Sequence, residues 1–98
     1  MQHYLLIYHL KDDYLERRSQ FREAHLAKAK EAAQKGDLVI AGTLADPADM
    51  AILFFKGESP ETAERFAKDD PYVHNGLVER WEVRRWNTVV GTDAAQPA

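Results

Sequence analysis

Nine residues near the start of the chain, Gln2 to Leu10 (QHYLLIYHL), leave a strand no polar face to turn toward water. Successive side chains of a strand point to opposite sides, so Tyr4, Leu6, Tyr8 and Leu10 share one face while Leu5 and Ile7 share the other. Both faces need cover. The run from Ala51 to Phe55 makes the same demand, with Ala51, Leu53 and Phe55 set against Ile52 and Phe54. A chain of 98 residues fills one core, and at that length it buries only about 60–65% of the surface its unfolded form exposes. It has no Cys, so neither a disulfide nor a thiolate-held metal reinforces that core, and self-association is the remaining stabiliser.

The rest of the chain covers one of the two faces. Asp12 and Asp13 open a charged stretch without Gly or Pro that ends at Gly36, and this predicts a helix of about six turns with a glycine stop. Leu38 to Ala45 and Met50 to Lys56 are short apolar runs separated by Asp46-Pro47, two strands of a hairpin. Ser59 as N-cap, Pro60 in the first turn and Glu61 near the positive end begin a second helix, which stops at Asp69 because Pro71 pushes Asp70 out of helical geometry. Asn75-Gly76 marks a turn, and Val78 to Trp86 is a fourth strand. Residues 1–90 read as one α+β domain, and 91–98 as a flexible tail of small residues. The order β-α-β-β-α-β is the ferredoxin-like arrangement, a four-stranded antiparallel sheet carrying both helices on one face. The sheet of a second copy is the expected cover for the other face.

Charge and composition narrow the partners. Thirteen basic residues against sixteen acidic ones give a net charge of −3 with no basic block, which argues against nucleic-acid binding. The opening residues carry charge and His too early for a secretory signal, and no apolar run approaches the roughly 20 residues of a membrane span, so a cytoplasmic location is expected. His3 and His9 share a strand face but lie about 20 Å apart along it, too far to hold one ion. Without a paired-His motif, a Gly-rich phosphate loop or a G-x-S-x-G elbow, no metal and no cofactor are expected.

The chemistry of the chain lies in polar residues placed where apolar ones belong. Projected at about 100° per residue, the first helix gathers Tyr14, Leu15, Phe21, Leu26, Ala29, Ala32 and Ala33 within an arc of roughly 140°. Arg18, Arg22 and His25 fall in the same arc and therefore point inward. A buried guanidinium needs an anionic partner, because an uncompensated charge taken out of water costs several kcal/mol. On the second helix Ala63, Phe66 and Ala67 define the apolar side, and Asp70 lies on it. At a helix C-terminus that carboxylate requires a cationic or hydrogen-bonding partner, for which His25 or one of the arginines would serve. The result is a dyad in which Asp70 orients the imidazole, His25 moves protons, and Arg18 or Arg22 holds an anionic substrate group. A purely structural reading stands beside it: the arginines snorkel from the apolar edge, and His25 and Asp70 tie two helices together.

Arg18, Arg22-x-x-His25-Leu26, the segment GDLVIAG from Gly36 to Gly42, and DPYVHNGLVERWEVRRWNTVVG from Asp70 to Gly91 together resemble the YciI-like (YCII-related) family over nearly the whole chain. The resemblance implies a dimeric α+β barrel, two ferredoxin-like protomers joined sheet to sheet as a homodimer or a higher oligomer, and a dyad carried here by His25 and Asp70. It points to a cofactor-free lyase or isomerase of the dehydrochlorinase kind, acting on a small anionic oxygenated ring compound; Arg18 and Arg22 from the projection are then the expected anion holders, and Tyr72, beside Asp70, an expected substrate-binding hydrogen-bond donor. A non-catalytic ligand-binding module and a cofactor-independent monooxygenase are the alternatives. The chain departs from many relatives at Thr43, where they carry Pro after the glycine, and in its short hairpin.

Overall fold

In the computed structural model, which describes residues 1–98, four strands pair antiparallel in the order β2-β3-β1-β4. They are β1 (Gln2–Leu10), β2 (Leu38–Thr43), β3 (Met50–Gly57) and β4 (Val78–Trp86). The sequence reading of a ferredoxin-like α+β sheet therefore holds. Leu6 of central β1 stands opposite Leu53 on one side and Val83 on the other, and Tyr8 stands opposite Ala51 and Trp81. Register slips by one residue between His9 and Leu10, so that Leu10 meets Val78 and Glu79 bulges out of the ladder. The bulge keeps a carboxylate out of a position that the core needs for a valine.

One face of β1 is buried throughout, at Tyr4, Leu6, Tyr8 and Leu10, and with Leu53 and Phe55 of β3 it forms the floor of the core. Its cover comes from α1 (Tyr14–Arg17), α2 (Arg22–Gln34), α3 (Glu61–Asp69) and the single turn α4 (Pro71–His74). In α3 the buried residues are Ala63, Phe66 and Ala67, as the projection requires, and Phe66 packs on Phe55 at 5.4 Å between ring centroids.

The first helical stretch departs from the expected six-turn rod. It breaks after Arg17 into a 3₁₀ turn at Arg18–Gln20 and a non-helical Phe21 (φ −121°, ψ −1°) before α2 begins. Tertiary anchors outweigh a propensity that is weak per residue. Arg17 donates to the carbonyls of Asn75 at 2.8 Å and Gly76 at 3.4 Å, and Tyr14 packs edge-on against Tyr72 at 5.7 Å, which holds α1 to the turn after α4. The offset at Arg18–Phe21 then lets α2 leave toward β2. A second correction concerns the face of α2: none of its residues is buried, and Leu26, Ala29 and Ala32 are only half-covered. The small side chains do not close the gap to the sheet.

On the opposite face, Leu5 and Ile7 stand beside Phe54 and Ile52, all half-buried, with Ile40 and Trp86 exposed. His3 is buried there against Phe54, and its Nδ1 shares a 2.8 Å hydrogen bond with Thr88 Oγ1. Residues 91–98 turn back to this point: Ala95 N donates to Thr88 Oγ1 at 2.7 Å, and Gln96 N and Ala98 N donate to the carbonyls of Thr88 and Val89 at 3.0 Å each.

Phe55 is 1% exposed between sheet and α3. Phe55→Ala is expected to cost about 3–5 kcal/mol of unfolding free energy, measured by urea denaturation. A loss under about 1 kcal/mol would mean that α3 does not pack on β3 as described.

Candidate functional site

Pro71 does more than end a helix. Its fixed φ suits the first position of the next one, so α3 stops at Asp69 and α4 starts at once, with Asp70 between them in extended geometry (φ −74°, ψ 126°). Asp70 is thus the N-cap of α4, and its Oδ1 accepts from Tyr72 N at 3.0 Å. The sequence reading placed this carboxylate at the unfavourable end of one helix dipole. The structure places it at the favourable end of another.

Asp70 is 0% exposed, which makes its remaining partners decisive. Tyr8 reaches across from β1 and donates its hydroxyl to Oδ2 at 2.6 Å. His25, from the second turn of α2, places Nδ1 at 2.8 Å from Oδ1 and 3.0 Å from Oδ2. A carboxylate only accepts, so Nδ1 carries the hydrogen and the free ring nitrogen is Nε2. The imidazole lies flat on Tyr72, with ring centroids 3.9 Å apart and planes 7° apart, and meets Phe66 edge-on. Hydrogen bond and stack together leave the ring no rotational freedom.

Of the partners that the sequence allows for Asp70, His25 is the one the structure supplies: Arg18 and Arg22 take no part in its bonding or in any ion pair of the chain. Arg18 is half-buried over the ring of Tyr14, 5.6 Å from its centroid, and Arg22 is exposed rather than turned into a core. Both line a cavity of about 480 Å³ between α2 and the sheet, together with His25, Tyr72 and Tyr8. Its walls carry the cations Arg18, Arg22 and Lys30 and no Asp or Glu, so the space attracts an anion. Tyr72, 3% exposed, is the one buried side chain whose polar atom finds no partner in the protein. A hydroxyl stripped of water and left unpaired costs about 1–3 kcal/mol, which a ligand oxygen would recover.

The sequence places Tyr8 on a strand face that needs cover and assigns its hydroxyl no role. The available signal was that a tyrosine on a buried strand face must find an acceptor for its hydroxyl. No group of three or more His, Asp or Glu side chains gathers where it could hold a metal ion.

Burial, with the Asp70 charge and hydrogen bond adding to it, pushes the Tyr8 hydroxyl well above the ordinary tyrosine value. Tyr72 is pushed up to about 12, by burial first and then Tyr14, with Arg22 and Arg18 pulling it down. Both tyrosines therefore hold their protons more tightly folded than unfolded, where ionisation occurs near pH 10. Their contribution to stability is complete below about pH 10 and is lost as the pH climbs through the folded values. Urea unfolding between about pH 9 and about pH 11 should show this decline, and Tyr8→Phe should make it shallower. Equal slopes for the two proteins would refute the assignment. At neutral pH, Tyr8→Phe should cost about 1.5–3 kcal/mol, the range for a hydrogen bond to a charged group.

Residues 1–87 match the family model of the YCII-related domain. The proteins named YciI from Escherichia coli O6:H1 (strain CFT073) and from Shigella flexneri are each 35% identical over 88 residues, covering 81% of this chain and 90% of theirs. Among solved structures, 5-chloro-2-hydroxyhydroquinone dehydrochlorinase (TftG) from Burkholderia phenoliruptrix AC1100, in complex with 2,5-dihydroxybenzoquinone, superposes with a TM-score of 0.70 at 22% identity, over 88% of this chain and 94% of that one. Protein Atu4242 from Agrobacterium tumefaciens follows with a TM-score of 0.59 at 17% identity, over 97% of this chain and 98% of that one. With the domain model spanning residues 1–87 and full-length relatives at 35% identity, the chain belongs to the YCII-related family.

Proposed function

We propose that the protein is a cofactor-free acid-base enzyme, a lyase or isomerase that takes a proton from an activated position of a small anionic oxygenated ring compound. The observation that carries this reading is the His25 ring, bonded through Nδ1 to a fully buried carboxylate beside a cationic cavity. Nε2 is the base. As it accepts the proton the imidazole becomes a cation, and Asp70, 2.8 Å from Nδ1, stabilises that charge without moving. Arg18 and Arg22 hold the anionic group and stabilise the enolate that develops, and Tyr72 donates its unpaired hydroxyl to a substrate oxygen.

Two outcomes follow from the same first step. In an elimination, the electron pair of the broken bond to hydrogen forms a carbon–carbon double bond and the leaving group departs with its own pair. In an isomerisation, His25 returns the proton at another carbon. Neither needs a redox partner. TftG, named as a dehydrochlorinase, shares this fold, which supports testing the elimination first.

The active form proposed is a homodimer in the cytoplasm. Leu5, Ile7, Ile52, Phe54, Ile40 and Trp86 make the sheet face away from the helices too apolar to leave in water, and a second copy of the same face is complementary to it. Sedimentation equilibrium at micromolar concentration is expected to give twice the 11.2 kDa chain mass. A monomer would exclude the dimer.

Chlorinated hydroxyhydroquinones and muconolactones, followed by chloride release and ultraviolet absorbance, test the enzyme. Asp70→Asn should lower the rate by roughly 10² to 10⁴, the range of general acid-base catalysis, and His25→Ala should abolish turnover with the folded spectrum retained. Turnover by His25→Ala would eliminate His25 as the base. Thermal stabilisation by these compounds with no turnover would favour a binding module, and oxygen consumption a monooxygenase.

A further inference from the structure

The gap under α2 is larger than a proton-transfer site for one ring requires. Leu26 and Ala29 are half-buried and Ala33 is exposed on the helix side, and Ala41 and Leu53 face them from β2 and β3. The buried or half-buried polar groups of the cavity, Tyr8, Arg18, His25 and Tyr72, sit at its other end, where Ala51 and Thr43 share a cross-strand row with Tyr8, while Lys30 lies at the exposed rim. From His25 to Ala33 the helix rises about 12 Å, so the apolar part extends two turns beyond the proposed base. An apolar cavity of about 150 Å³ is enough to admit benzene, and the present one measures about 480 Å³. A single ring at the polar end leaves most of the space unfilled.

We propose that the ligand of this site is amphipathic: an anionic, oxygenated head held at Arg18, Arg22 and His25, and an apolar limb of several carbons lying between α2 and the β2–β3 hairpin. This rests on the anion-site reading above and adds the class of molecule that the site takes. Small side chains on both walls, Ala29 and Ala33 against Ala41, keep the space open, and the half-covered Leu26 gains cover when the limb enters. Each methylene that the limb buries should strengthen binding roughly fourfold.

The test uses benzoate, 4-propylbenzoate and 4-pentylbenzoate as probes, with affinities from calorimetry or protein-observed NMR. In the native protein 4-pentylbenzoate is expected to bind on the order of 10³-fold more tightly than benzoate. Ala33→Leu and Ala29→Leu each narrow the gap from a helical position that accepts leucine, and each should reduce that ratio about tenfold. Arg22→Ala should weaken all three probes and leave the ratio intact. If benzoate binds in an Arg22-dependent way but the limb improves affinity by less than about twofold, the limb is overturned and the anion site survives. A ratio that persists in both leucine variants also overturns it, because the limb then lies elsewhere. Failure of all three probes to bind overturns the limb and the anion site together.

Discussion

A carboxylate removed entirely from water is the constraint on which the rest of this small protein turns. Left alone, such a charge costs several kcal/mol, and the fold meets that cost with donors from three separate elements. Tyr8 comes from the central strand, His25 from the long helix, and the Tyr72 amide from the turn that Asp70 itself caps. Each donor fixes the placement of its element. Removing one would leave the others short of a partner, so the group acts as a network rather than as a sum of pairs. The same bonding decides which nitrogen of His25 is free, and so a feature of folding becomes a feature of chemistry.

The opposing tendency is the poor packing of α2. A chain of 98 residues has little apolar surface to spare, yet its longest helix, Arg22–Gln34, buries none of its residues. Alanines at 29, 32 and 33 favour the helix intrinsically but leave it standing off the sheet. That gap is the cavity. Stability is forgone where the proposed ligand would sit, and the core under α3, with Phe55 and Phe66 in contact, carries more of the fold.

The two faces of the sheet divide the labour in the same way. The helix-covered face holds Tyr8 and so the carboxylate network, while the face with Leu5, Ile7 and Phe54 remains half-covered. A strand apolar on both sides cannot satisfy both within one copy of so short a chain. Dimerisation through that second face, as proposed, would leave the cavity on the outer, helical side and accessible to ligand.

Alternation along Gln2–Leu10, the Pro71 break and the Asn75-Gly76 turn were enough to specify the four strands, their order along the chain and the buried residues of α3, because these are local signals of period and turn chemistry. The helical projection also brought His25 and Asp70 to facing sides, since a charge on an apolar face implies a partner. What local signals do not encode is competition between distant anchors. Arg17 bonding to Asn75 and Gly76 accompanies the break in the first helix, a bulge at Glu79 resets the β1–β4 register, and the Tyr8 hydroxyl finds Asp70 sixty-two residues away. Sequence by itself thus determined the elements and the need for a buried ion's partner. Only the tertiary structure decided which donors answer it and where space is left, because both depend on how far apart the packed elements come to rest.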